Sequence, residues 1–107
     1  MNIETNDEVK KAIALEGLYQ VMDPEVDLNI VDLGLVYKIE FDEEKKENVV
    51  LMTLTTRFCP MGESIVAATT QSMEQSFPGH TTKVNLTFNP PWEVSMISEE
   101  GNKFLNL

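Results

Sequence analysis

An α+β domain of two layers is what this sequence predicts: a small sheet of three strands, with room for a fourth, and helices on one face. Three observations predict it. Apolar residues recur at helical spacing in two stretches, three other stretches read as strands, and the order runs α, β, β, α, β and then a short α. The 107 residues, 42% hydrophobic, form one domain over 1–107, long enough to bury a core without disulfide or metal staples.

Thr5-Asn6-Asp7-Glu8 is a T-x-x-E capping box, so the first helix is expected to start there. Ala12, Leu15, Leu18, Tyr19 and Met22 supply its apolar stripe, and Pro24 ends it by pushing the preceding residue out of the α region. Gly17 is either a weak point or a place of close packing. An acidic turn, Asp23-Pro24-Glu25-Val26-Asp27, follows. Leu35, Tyr37, Ile39 and Phe41 then alternate with Val36, Lys38, Glu40 and Asp42, which describes a half-buried strand with the first set inward. Residues 42–48 make a charged, solvated hairpin tip, and 49–56, with few charges and many β-branched residues, read as a central strand.

Pro60 suits the first position of a second helix, with Cys59 at or beside its N-cap. Met61, Ile65, Ala68, Ser72, Met73 and Phe77 give that helix a core-facing stripe, its methionines serving as filler. Pro78-Gly79 stops it. A third strand covers 83–88 with Val84, Leu86 and Phe88 inward, Asn89-Pro90-Pro91-Trp92 breaks it, and a short helix is expected over 94–100 before Gly101, with Phe104-Leu105 docking at the end.

Eighteen acidic against eight basic residues give a net charge of -10, which repels phosphate backbones and anionic membranes. No nucleic-acid or membrane partner is expected. A single cysteine forms no internal disulfide, the first residues lack a signal-peptide pattern, and no apolar run is long enough to span a bilayer; the expected compartment is the cytoplasm.

The chemistry concentrates on Cys59. A thiol at a strand-to-helix junction faces the unpaired N–H groups of the first turn, which favour the thiolate; the competing reading is a small buried hydrophobe. Its function as a nucleophile would need a base, and the lone histidine, His80, lies beyond the far end of a helix ~25 Å long at ~1.5 Å per residue. His80 reads as an exposed loop residue. One thiolate cannot fill a zinc or cluster coordination sphere, so a metal held by Cys59 would be shared with carboxylates such as Asp23, Glu25 or Asp27, or with a second chain or partner. Read locally, Asp23 and Glu25 are solvated acids at a helix stop. Trp92 either caps the core or borders a partner surface, to which Glu63 also belongs.

Asp23-Pro24-Glu25, Val31-Asp32-Leu33-Gly34-Leu35-Val36-Tyr37, Thr53-Leu54-Thr55-Thr56, Cys59-Pro60-Met61 and Leu86-Thr87-Phe88-Asn89-Pro90-Pro91-Trp92 resemble, in order and spacing, the PaaD/SufT-like iron–sulfur assembly family, also described as metal–sulfur cluster biosynthetic proteins. The resemblance runs from the first helix to Gly101. It implies a compact α+β fold, a non-catalytic role in maturing iron–sulfur proteins, and a family cysteine at Cys59 with Asp23, Glu25, Thr55 and Thr56 near it. Two departures stand out. Arg57-Phe58 precedes the cysteine where many relatives carry a small residue, and the cysteine-rich tail of the phenylacetate-pathway members is missing, which favours the stand-alone SufT-like type.

The expected function is therefore an accessory factor for iron–sulfur maturation, not an enzyme, with Cys59 a transient ligand of iron or a cluster or a docking thiol. Its partners would be iron–sulfur carrier or client proteins, with a homodimer as one way to complete the site. The alternative is an interaction adaptor that binds no metal and in which Cys59 is structural; a thiol enzyme, lacking a paired base or resolving cysteine, ranks last.

Overall fold

In the computed structural model, which describes residues 3–56 and 61–105, the expected strands are joined by a fourth at the start of the chain. The sheet has the order β1 (Glu4–Thr5), β4 (Val36–Asp42), β5 (Glu47–Met52), β6 (Thr81–Leu86). A short loop makes β4 and β5 antiparallel, whereas helix α3 (Gly62–Ser76) carries the chain back so that β6 runs parallel to β5. β5 has neighbours on both sides, as its low charge predicts.

Helix α1 (Glu8–Leu18) starts later than the capping box suggested. Asp7 is its cap, with Oδ1 accepting from Lys10 N at 3.0 Å, because Thr5 is committed to β1, pairing with Ile39. Asn6 extends that pairing with its side chain. Its amide donates to Phe41 O and accepts from Phe41 N, both at 2.9 Å. The buried face of α1 is Ala14 and Leu18, with Leu15 packed beside them; Ala12, Tyr19 and Met22 are exposed, and the helix ends before Pro24. Gly17 is a point of close packing: a Cβ there would lie 2.6 Å from Ser72 Oγ and 2.9 Å from Ser76 Oγ of α3.

β4 departs from strict alternation at a bulge between Val36 and Lys38. Because Val36 pairs with Met52 and Ile39 with Val50, Val36 and not Tyr37 joins Ile39 and Phe41 on the core face. These side chains, with Val50, Met52, Ile65 and Met73, form one core with Leu18, Ile30 and Leu33.

A small hairpin of β2 (Met22–Asp23) and β3 (Leu28–Asn29) leads into the single turn α2 (Ile30–Leu33), which Gly34 ends at φ 86. At the other end of the chain a 3-10 turn (Val94–Met96) precedes α4 (Glu99–Leu105). Gly101 lies inside α4, not after it. A Cβ at Gly101 would meet Ile97 Cγ2 at 2.7 Å and Asp32 O at 3.2 Å, so this glycine serves close packing and does not stop the helix. Leu105 packs on the core, and Phe104 is exposed. Among the described residues no helix is long and apolar enough to cross a membrane.

Candidate functional site

Several of the residues singled out in the sequence lie on segments at one end of the sheet, where β4 begins and β5 leaves. Asp23 sits in the β2–β3 hairpin and is 1% exposed, so it is not the solvated acid that its turn suggested. Its Oδ1 accepts from Glu25 N at 2.9 Å, and its carbonyl accepts from Asp27 N at 2.8 Å, closing the turn around Pro24. Asp27 takes a positive φ of 56, and Glu25 is exposed. The hairpin thus fixes one carboxylate and presents another.

Next to this hairpin, Asn29 and Asp32 bind reciprocally. Asn29 Oδ1 accepts from Asp32 N, and Asn29 Nδ2 donates to Asp32 Oδ2, each at 2.8 Å. Asn29 is thus the N-cap of α2, and an Asn three residues before an Asp is the signal that the sequence offers for it. What no local pattern shows is the third partner: Ser98 Oγ donates to Asp32 Oδ1 and Ser98 N to Asp32 O, both at 2.7 Å. Ser98 Oγ then accepts from Gly101 N at 3.0 Å, capping α4. Asp32 therefore ties α2 to the C-terminal helix.

Trp92 is half-buried, its indole Nε1 donating to Leu33 O at 2.7 Å, so the ring is held against the carbonyl end of α2. Nearby, the Tyr37 hydroxyl displaced by the bulge donates to Pro90 O at 2.9 Å and lies 3.7 Å from Met96 Sδ. Burial lifts the Tyr37 phenol above the usual tyrosine range. A hydrogen bond with the Thr53 side chain pulls it part of the way back, and the negative charge of Glu93 adds to the rise. Tyr37, Lys38 and Leu51 line, with Pro90 and Met96, a depression of about 510 Å³.

Past Met52 the chain is held by Thr53, whose N–H donates to Leu35 O at 2.8 Å, and it then emerges: Thr55 is half-buried and Thr56 exposed. Cys59 and Pro60, on which the thiol and first-turn expectations rested, lie outside the described residues. α3 begins at Gly62 with Met61 in the capping position and 37% exposed, so Met61 is not core filler. Glu63, in the first turn, is exposed beside an apolar depression of about 430 Å³ lined by Leu54, Gly62, Val66, Ala67 and Leu86. Leu86, expected to point into the core, is 45% exposed there.

The structure thus groups Asp23 with Glu25 in one turn, Thr55 with Thr56 at the exit of β5, and Glu63 with Leu86 beside α3. His80 lies at the other end of the sheet, only partly exposed, with its ring 6.5 Å from that of Phe77 and Nε2 3.8 Å from Glu43. Among the described residues no group of three or more His, Cys, Asp or Glu side chains could hold a metal ion.

The fold defines a small α+β domain built on a four-stranded mixed sheet. A family model described as iron-sulfur cluster assembly protein matches residues 11–86, and the chain belongs to that family. It is 41% identical over 78 residues to the Fe-S protein maturation auxiliary factor SufT of Staphylococcus aureus, covering 73% of this chain and 88% of that one. Its identity to the auxiliary factor YitW of Bacillus subtilis is 36% over 92 residues, 86% of this chain and 89% of the relative. The crystal structure of a domain of unknown function from Bacillus anthracis superposes with a TM-score of 0.86 at 33% identity, covering 94% of each chain.

Proposed function

We propose that this protein is a non-catalytic accessory factor in the maturation of iron–sulfur proteins, working in the cytoplasm with iron–sulfur carriers and client proteins. The observation that carries the reading is the match to two named maturation factors over most of both chains, together with the match of the family model to residues 11–86. Cys59 contributes as a transient ligand of the iron or cluster being delivered, or as a docking thiol. Asp23 and Glu25 belong to the same region through their turn, and Thr55 and Thr56 form the approach to the thiol. Trp92 and Glu63 border the surface that meets the partner.

The chemistry agrees with a transient role. Asp23 is committed to closing its own turn, and one thiolate with a neighbouring carboxylate is too small a ligand set for a resident cluster. The remaining ligands come from the client, the carrier or a second copy of the chain. A cargo held by few ligands here is released readily to a partner that offers more.

The test replaces Cys59 by Ala and follows iron–sulfur enzyme activities in cells that depend on the protein, together with anaerobic reconstitution of the purified variant. Maturation is expected to fall, and cluster absorbance to be lost with the thiol. Full maturation by Cys59→Ala would leave an adaptor in which the cysteine is structural.

A further inference from the structure

β6 is the open edge of the sheet: among the described residues it pairs with β5 alone. The backbone N–H groups of Thr81 and Thr87 donate toward β5, to the carbonyls of Lys46 and Met52. By the two-residue period of a strand, the N–H and C=O groups of Thr82, Val84 and Leu86 point away from the sheet. Their side chains, in register with Asn48, Val50 and Met52, face the helix layer. The edge therefore offers a row of backbone donors and acceptors alongside α3, ending at the exposed Leu86 and its apolar depression.

The flank of α3 above this edge is acidic. Gly17 of α1 packs on Ser72 and Ser76, and at 100° per residue Glu63, Val66, Thr70 and Glu74 lie on the other flank, toward β6. α3 contains Glu63 and Glu74, both exposed, and no Lys or Arg. Eleven residues of helix separate the two carboxylates by about 16 Å, the length of about five residues of strand. The hydrogen-bonding edge and the pair of charges match in length.

We propose that the β6 edge and this flank of α3 form a docking groove for an extended segment of a partner protein, which adds to the sheet as a fifth strand. The segment places an apolar side chain in the Leu86 depression and Lys or Arg side chains against Glu63 and Glu74. Charge selects this occupant over a second copy of the chain. Two copies would bring four of these carboxylates together within a dimer of net charge -20, twice the -10 of one chain, and Lys83 on the edge strand blunts self-pairing. The inference rests on the maturation reading, for which it supplies the means of holding the client or carrier.

The probe is a blocked, fluorescein-labelled peptide of sequence Lys-Thr-Leu-Thr-Lys-Thr-Lys, compared with versions carrying Glu for Lys or Ser for Leu. Binding is read by anisotropy and by amide hydrogen exchange. The expected result is salt-sensitive binding with slowed exchange at Thr82, Val84 and Leu86. Leu86→Asn should weaken it by about 10-fold or more, and Glu63→Gln with Glu74→Gln by several-fold with a flatter salt dependence. Both variants change exposed side chains, so native melting curves are the control. The groove is overturned by no binding at about 1 mM peptide, by equal binding of the Glu peptide, or by undiminished binding to Leu86→Asn. Dimerisation through β6 that the peptide does not compete with would assign the edge to a second copy and overturn it too. Peptide binding that survives in Cys59→Ala while maturation fails separates the groove from the thiol, and a failed groove with intact maturation leaves the function standing.

Discussion

At the end of the sheet where β4 begins and β5 leaves, the polar side chains are paired: Asp23 with Glu25 N, Asn29 with Asp32, Asp32 with Ser98, Trp92 with Leu33 O, Tyr37 with Pro90 O. At the hairpin end the exposed Asn6 and Asp42 are paired with backbone, but the buried polar groups are not. Asn48, 1% exposed, sits in a row between Phe41 and Thr82, and neither atom of its side-chain amide has a hydrogen-bond partner; nor do Thr82 Oγ1 and His80 Nδ1. What encloses this end is aromatic and ionic: Phe77 stands 5.3 Å from Phe41, the Lys10 ammonium lies 5.8 Å over the Phe41 ring, and Lys10 pairs with Glu43. Hydrogen bonds fix geometry, whereas apolar and exposed ionic contacts mainly supply cohesion. Asp23, whose carboxylate and carbonyl close its own turn, belongs to the end that is fixed.

Changes at the fixed end should accordingly be costly, the largest at Gly34. Its φ of 86 belongs to the region that disfavours side chains, and a Cβ would lie 2.3 Å from Met96 O. Gly34→Ala combines backbone strain with a backbone clash and should destabilise by about 3 kcal/mol or more. Urea unfolding measures it; a loss below about 1 kcal/mol would mean that the Met96 segment yields freely. Asp32→Ala comes next. It leaves the Ser98 hydroxyl and the Asn29 amide without their acceptor and should cost roughly 1–3 kcal/mol, with faster amide exchange in α4. Unchanged exchange in α4 would show that the tie between α2 and α4 is not made by this carboxylate.

The hairpin end should answer with the opposite sign. Asn48→Val removes two buried polar atoms that have no partner and adds a β-branched side chain to a strand. Stability should stay level or rise by about 1 kcal/mol. A loss of more than about 1 kcal/mol would instead place Asn48 in a hydrogen-bonded network and erase the contrast between the two ends.

The same contrast separates what was legible in the sequence. α3, β5 and the β4–β5 hairpin could be read because periodicity and turn composition are local. β1 could not, since two residues carry no period and the edge is completed by the Asn6 side chain. Tyr37 was assigned to the core face because one bulged residue shifts the phase of every residue before it. The Asp32–Ser98 bond joins residues 66 apart, and neither residue betrays the other. Asp23 looked solvated for a related reason: an acid beside a proline reads as a turn, while its burial depends on how the β2–β3 hairpin folds back. The resemblance of ordered motifs marked Asp23 and Glu25 where local chemistry favoured a bland reading. Cys59, the residue most legible as chemistry, lies outside the described residues, so its role rests on family and on experiment.

Tyr37 gives the smallest of these effects and the one that pH exposes. In Tyr37→Phe the bond to Pro90 O is lost, at a cost of about 1 kcal/mol near neutral pH. Because burial raises the folded-state pKa of the phenol above its unfolded value of about 10, the folded protein holds the proton more tightly. That contribution is fully present below the unfolded pKa and is lost as pH rises through the folded one, where a phenolate could no longer donate to Pro90 O and would face Glu93. The stability difference between the native protein and Tyr37→Phe should therefore be constant from neutral pH to about 9 and shrink above about 10. Paired thermal melts across that range cancel whatever pH dependence the two proteins share. A difference that stays flat through the alkaline limb would detach Tyr37 from the Pro90 segment and leave Trp92 as the side chain that pins this segment, through Leu33 O, to α2.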